Sequence, residues 1–307
     1  MEGALVTRSL LAVPGSSARM AEKALASGAD GVFLDLEDAV APGEKSAARA
    51  KVVEAMRDLD WRGRKKLFRV NALRTPWFHR DLIEVAEGAG ETLDAVMVPK
   101  VDRPEDLHAV AVLLDGIEAD CGLEPGSVRI EAQIESAEGL LNAGRIARAT
   151  ERLTALHLGP GDLAASLRMP QTSIGTFDEW DRSYPGHRFH YAMQTIVAAA
   201  RAAGIRVLDG PVADHGDEEG LREACRVARS LGFDGKWCIH PAQIQIVNET
   251  FSPTREEVAW AREVVAAYDK AGEAGSGAIS IEGQMVDAAS IRMAQNTLDL
   301  AEQAGMA

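Results

Sequence analysis

The sequence is poor in cysteine, in long apolar runs and in positive charge, and each shortage removes a class of function. Cys121, Cys225 and Cys238 are the only cysteines in 307 residues, and no two stand in a Cys-x-x-Cys spacing. Neither a disulfide framework nor a zinc knuckle is therefore expected. No apolar stretch is long enough to cross a bilayer. The opening residues, Met1-Glu2-Gly3-Ala4-Leu5, lack the charged start and apolar run of a signal peptide. The expectation is a soluble, cytoplasmic protein without a membrane partner. A formal charge of −14 argues against nonspecific nucleic-acid binding, although a local basic pocket for a phosphorylated ligand stays open. No Ser-His-Asp or Cys-His arrangement with recognisable local context is present, so a nucleophile-based hydrolase finds no support. There is no internal repeat and no low-complexity tract.

What is present is a 46% hydrophobic chain in which β-like runs and helical stretches alternate. The runs are Leu10–Val13, Gly31–Leu36, Leu67–Asn71, Ala95–Val98, Val128–Glu135, Ala155–Leu158, Ile205–Leu208 and Gly235–Ile239. The stretches between them carry apolar residues at helical spacing, as at Leu107, Val110, Leu113 and Leu114. Alternation of this kind implies a parallel sheet. Eight such units in about 250 residues match a (β/α)8 TIM barrel. A doubly wound open sheet is the second choice, although no Gly-x-Gly-x-x-Gly follows the first run. Residues 1–252 are assigned to the barrel. Residues 253–307 exceed what barrel closure needs and read as a C-terminal helical arm or lid, with a helix over Arg255–Lys270, a short β-like piece at Ala278–Ile281 and a last helix from about Ala288 to Ala304. Met169–Arg188 has little periodicity and reads as a long loop, a kind of segment that is often functional.

Barrel sites lie at the C-terminal ends of the strands. Those ends supply Asp35, Glu37, Asp38, Arg69, Asn71, Lys100, Glu135, Asp162, Asp209 and His240. In Arg129-Ile130-Glu131-Ala132-Gln133-Ile134-Glu135 the residues at 131, 133 and 135 share one strand face and aim a polar row at the interior. A carboxylate buried there needs a compensating cation. Glu135 and Asp162, ending two separate runs, are candidate ligands for a divalent ion; the competing reading is that both cap the helices that follow. Arg69 on an inner strand face could stabilise an enolate or carboxylate, or simply pair with Asp35 or Glu37. Arg19 and Lys23 lie four apart on one helix face, where they could grip phosphates or face solvent.

The motifs Leu11-Ala12-Val13-Pro14-Gly15, Leu34-Asp35-Leu36-Glu37-Asp38-Ala39, Arg69-Val70-Asn71, Val98-Pro99-Lys100, Gln133-Ile134-Glu135, Gly159-Pro160-Gly161-Asp162 and Gly235-Lys236-Trp237-Cys238-Ile239-His240-Pro241 occur in this order. Together they resemble the citrate lyase β-subunit-like family of CoA-ester lyases. The malyl-CoA and β-methylmalyl-CoA lyase branch is the nearest, on Thr75-Pro76-Trp77-Phe78-His79-Arg80-Asp81 and Asp209-Gly210-Pro211. The resemblance implies a barrel with a C-terminal arm, a homotrimer or hexamer, and Mg²⁺ (Mn²⁺ as a substitute) held by Glu135 and Asp162. It implies Arg69 at the thioester or enolate oxygen and Asp287 as an acid/base reaching a neighbouring subunit. Glu37 and Asp38 become acids that hold metal-bound water and orient Arg69, and Arg19 and Lys23 lie near CoA phosphates. The implied reaction is reversible Claisen-type cleavage of malyl-CoA, β-methylmalyl-CoA or citramalyl-CoA to acetyl-CoA or propionyl-CoA and a 2-oxo acid such as glyoxylate. A malyl-CoA thioesterase on the same site, and a noncatalytic CoA-binding subunit of a citrate-lyase-like complex, are the alternatives. The segment 168–186 is shorter than in those lyases, which bears on acid selection or water access.

Overall fold

In the computed structural model, residues 7–170, 173–176, 178–183, 187–273, 279–281 and 283–306 are described. The chain divides into two compact units, one of residues 7–248 and one that includes 249–307.

The first unit is a closed barrel of eight parallel strands in sequence order. They are β1 (Ser9–Pro14), β2 (Gly31–Asp35), β3 (Lys66–Arg69), β4 (Ala95–Val98), β5 (Arg129–Ile134), β6 (Leu153–Leu158), β7 (Arg206–Asp209) and β8 (Gly235–Cys238). β1 pairs with both β2 and β8, which closes the ring. Helices follow the strands as α1 (Ala18–Leu25), α2 (Lys45–Asp58), α3 (Phe78–Ala89), α4 (Pro104–Cys121), α5 (Ala137–Ile146), α6 (Pro160–Ser166), α7 (Glu179–Ser183), α8 (His190–Ala203), α9 (Glu218–Leu231) and α10 (Ala242–Phe251). Among the described residues of the expected loop at 169–188 lies a short helix, α7.

Local chemistry sets the helix ends. Ser17, Ser136 and Asp217 cap α1, α5 and α9 by accepting backbone N–H groups. α4 opens on Pro104 and stops at Gly122, whose φ of +69° suits a residue without a Cβ. Alternation along the strands sends Leu10, Phe33, Leu67, Ala95, Met97, Ala155, Leu208 and Trp237 into one interior cluster. A bulge shifts the β5–β6 register, pairing Ile130 with Leu153 but Glu131 with Ala155. Past it, His157 lies fully buried beside Trp237.

The second unit holds α11 (Arg255–Glu273), an antiparallel pair β9 (Ile279–Ile281) and β10 (Gln284–Val286), and α12 (Ala288–Gln303). Thr254 and Glu257 form a reciprocal cap at the start of α11. Ala261, Val264, Ile281, Val286 and Ala294 make its small core. The β-like piece expected at 278–281 is thus half of a hairpin. Its second strand, Gln284-Met285-Val286, was not foreseen; three residues carry too little alternation to register.

Candidate active site

The polar row on β5 is built as its alternation requires: Glu131, Gln133 and Glu135 are all buried. Glu135, 2% exposed, does not cap α5, since Ser136 does. Its Oε1 accepts the backbone N–H of Lys100 at 2.7 Å and its Oε2 accepts Gln133 Nε2 at 2.7 Å. Lys100 has φ +52°, a left-handed backbone unusual for a side chain of its size, just where its N–H meets this carboxylate. Gly159 closes over the same group; a Cβ there would stand 2.3 Å from Glu135 Oε2. The Gly-Pro-Gly run before Asp162 is therefore a close backbone approach to Glu135.

Electrostatics mark Glu135 as the uncompensated acid of the cluster. Burial pushes its carboxyl well above the usual range; Glu37 and Asp162 push the same way, while Lys100 and Arg69 only partly oppose. Asp162 sits in the first turn of α6 with its side chain 45% exposed and makes no capping bond. Lys100 Nζ lies 3.5 Å from Asp162 and 2.7 Å from Glu37 Oε1. Burial lowers the affinity of Lys100 for its proton, but the Glu37 bond and the surrounding acids overcome this and keep it a cation. An amine so held is no Schiff-base nucleophile.

Among the described residues, no three His, Cys, Asp or Glu side chains converge as a closed metal cage. Two carboxylates are what Mg²⁺ ordinarily takes, with water and substrate oxygens completing its shell. A buried acid whose ionisation its neighbours oppose, facing a half-exposed second acid, fits that ion.

Arg69 is buried and clamped. Its Nε and Nη2 each donate to Asp35 at 2.7 Å, and Nη1 donates to Gln133 Oε1 at 3.2 Å. Burial raises the Asp35 carboxyl, but the Arg69 charge and hydrogen bonds, with the N–H groups of Glu37 and Ala39, outweigh it and hold Asp35 low. Gln133 thus links Arg69 to Glu135, a bridge visible in the sequence only as a member of the polar row. Glu37 Oε2 lies 3.1 Å from Arg69 Nη1 yet accepts no hydrogen bond. Burial raises the Glu37 carboxyl above its ordinary value, against the pull of Arg69 and Lys100.

Three acids surround Arg69, unequally. Asp35 holds Arg69, with Glu37 beside it. Asp38 reaches it only at 3.8 Å from a side chain that is 62% exposed. The reason is strand parity: Asp35 shares the inner face with Phe33, whereas Asp38 stands beyond the strand. Asn71 is locked behind the site by Lys45, Asp81 and the Leu36 carbonyl. Asp209 does not join the cluster either. Leu208 and Trp237 point inward, so Asp209 and Lys236 face out of the barrel, where they pair beneath α8 and α9. His240 is exposed and stacks on His215 at 4.5 Å.

Arg19 and Lys23 are exposed on α1 and take no part in these hydrogen bonds. Asp287 belongs to the second unit, where it caps α12 by accepting from Ala289 and Ser290. Those N–H groups hold its carboxyl below the ordinary value.

Known proteins share this sequence and architecture. Residues 8–241 match the HpcH/HpaI aldolase/citrate lyase family. An L-malyl-CoA/β-methylmalyl-CoA lyase of Cereibacter sphaeroides is 43% identical over 296 residues, 94% of this chain and 92% of the relative. One from Rhodobacter capsulatus is 41% identical over 307 residues, 98% of this chain and 96% of the relative. The crystal structure of CitE from Mycobacterium tuberculosis in complex with magnesium, acetoacetate and coenzyme A has a TM-score of 0.78 at 32% identity, covering 98% of both chains. The chain belongs to the HpcH/HpaI aldolase/citrate lyase family.

Proposed function

We propose that this protein is a Mg²⁺-dependent lyase that cleaves malyl-CoA or β-methylmalyl-CoA reversibly to glyoxylate and acetyl-CoA or propionyl-CoA. The observation that carries the reading is the buried Glu135, which no side-chain cation contacts directly, facing Asp162 across from the fixed Arg69. The names of the similar lyases, and the magnesium and coenzyme A of the CitE complex, support the substrate class and the metal.

Glu135 and Asp162 would hold the ion, which when bound supplies Lewis-acid polarisation of the oxygen that becomes the glyoxylate carbonyl. Arg69 then meets the charge that C–C cleavage leaves on the thioester oxygen. Its guanidinium is already oriented by Asp35, so little reorganisation opposes the step. Lys100 neutralises Glu37 and keeps the acid cluster from repelling the substrate's carboxylate. Asp287, from the C-terminal arm of a neighbouring subunit, exchanges the proton at the enolate carbon. A carboxyl held low by two backbone N–H groups is in the ionised form, the form that accepts the proton in the condensation direction. Arg19 and Lys23 are the candidates for the CoA phosphates, and the assembly is a homotrimer or hexamer in the cytoplasm.

Asp162→Asn tests the metal assignment. Its exposed site predicts a stability change within about 0.5 kcal/mol. Titration calorimetry should show Mg²⁺ affinity lowered at least about tenfold, with cleavage of malyl-CoA lowered in step. Unchanged Mg²⁺ binding and unchanged cleavage would remove Asp162 from the site.

A further inference from the structure

A carboxylate fork fixes a guanidinium in its own plane but leaves it free to tilt about the line joining the two groups. In Arg69 the Nη1 bond to Gln133 limits that tilt on one side, and two rings lie against the guanidinium as well. The guanidinium carbon lies 5.4 Å from the Trp237 ring centre and 5.8 Å from that of Phe33, and the two rings pack at 4.7 Å. Phe33 is a symmetric wedge, whereas Trp237 has a polar edge that fixes its rotation. Its Nε1–H donates to His157 Nδ1 at 2.9 Å. Indole is a donor only, so Nδ1 carries the lone pair and the ring hydrogen sits on Nε2. That nitrogen meets Glu131 Oε2 at 2.8 Å, and Lys65 donates to Glu131 Oε1 at 2.8 Å. His157 is fully buried, and no buried polar atom in this chain of contacts lacks a partner. Burial raises the Glu131 carboxyl, but Lys65 and the His157 hydrogen bond outweigh it, so Glu131 stays an acceptor.

We infer that Trp237, locked by His157 and Glu131, is a positioning residue that sets the tilt of Arg69 for the reacting thioester oxygen. The inference rests on the reading of Arg69 given above. The catalytic effect of Arg69 depends on a donor direction, and a small misplacement of such a group costs as much as about 100-fold in rate. A chain running from Lys65 through three side chains, Glu131, His157 and Trp237, to the reacting cation would serve no packing need that two leucines could not meet. Trp237 meets both His157, by a hydrogen bond, and Arg69, by its ring.

His157→Leu tests this with Trp237 and Arg69 both in place. In the Mg²⁺-loaded protein, kcat for thioester cleavage should fall about tenfold or more with KM nearly unchanged, the pattern of an interaction made only in the transition state. His157→Gln, whose amide offers an acceptor and a donor, should recover part of the loss. In an Arg69→Lys background His157→Leu should add little, because both changes act on one group. Equal losses in the two backgrounds, or an unaltered kcat, would overturn the inference. Should His157→Leu fail to fold, Trp237→Phe, which keeps an aromatic ring but removes the N–H together with the second ring of the indole, is compared in the same two backgrounds. The ¹H–¹⁵N resonance of Arg69 Nε–H provides a readout independent of activity: it should move in His157→Leu, and an unmoved resonance contradicts the coupling. If the unaltered protein cleaves no CoA thioester, the functional reading fails while this resonance still decides the inference.

Discussion

Arg69 and Glu135 are opposite solutions to one problem, a charge placed inside a barrel. Arg69 is matched by a bidentate partner, so its burial is offset, and removing that partner strands the cation. Asp35→Asn should therefore lower stability by about 3–5 kcal/mol, read from denaturant unfolding, and reduce cleavage as well. A loss below about 1 kcal/mol would show that Glu37 and Gln133 suffice to hold the guanidinium. Glu135 is instead hydrogen-bonded by two neutral donors and repelled by its acidic neighbours. Its role as an interior acid was legible from the alternation of Glu131, Gln133 and Glu135, because strand parity is rigid. The capping alternative could not be dismissed from sequence, since Ser136 and Glu135 are adjacent candidates and only coordinates show which oxygen reaches Gly139. Parity also explains what was misassigned: Asp209 ends a strand as Glu135 does, but one residue out of phase.

The βα units were legible for a related reason. Strands buried on both faces read as short apolar runs, and their helices read at 3.6-residue spacing. The eight runs coincide with the eight strands to within two residues, the two-residue differences falling at the end of β3 and the start of β6. The α7 turn and the second hairpin strand, β10, escaped because elements of three to five residues leave no period to detect. One helix supplies a pH test. Glu118 on α4 accepts from Arg152 and from the N–H groups of Gly126 and Val128, tying the helix end to the entry of β5. Burial alone would raise its carboxyl, but these partners bring it from 4.5 down to about 2. A depressed acid stabilises the fold above its ordinary value, and that stability is lost as pH falls through the folded value. The Tm gap between the unaltered protein and Glu118→Gln should be full at neutral pH and shrink between about pH 4.5 and about pH 2. A gap that stays constant over that range would mean that Glu118 acts through shape and not charge.

At the scale of the whole molecule, the proposed chemistry asks an acid pair in one unit, Glu135 and Asp162, to act with a capping acid of the other unit, Asp287. Asp287→Asn keeps a good helix cap and removes the base, so it separates chemistry from folding. If the arm serves a neighbouring subunit, mixing inactive Asp287→Asn with inactive Glu135→Gln protein should restore activity as subunits exchange, since some sites then combine an intact acid pair with an intact arm. No recovery, with exchange verified, would mean that the arm serves its own barrel. The most direct measurement is product analysis: purified protein, Mg²⁺ and malyl-CoA, with glyoxylate, acetyl-CoA, malate and free CoA followed together. A carbon–carbon lyase releases glyoxylate and acetyl-CoA in equal amounts and stops when the ion is chelated. Free malate and CoA without glyoxylate would contradict the account and make the same site a thioesterase.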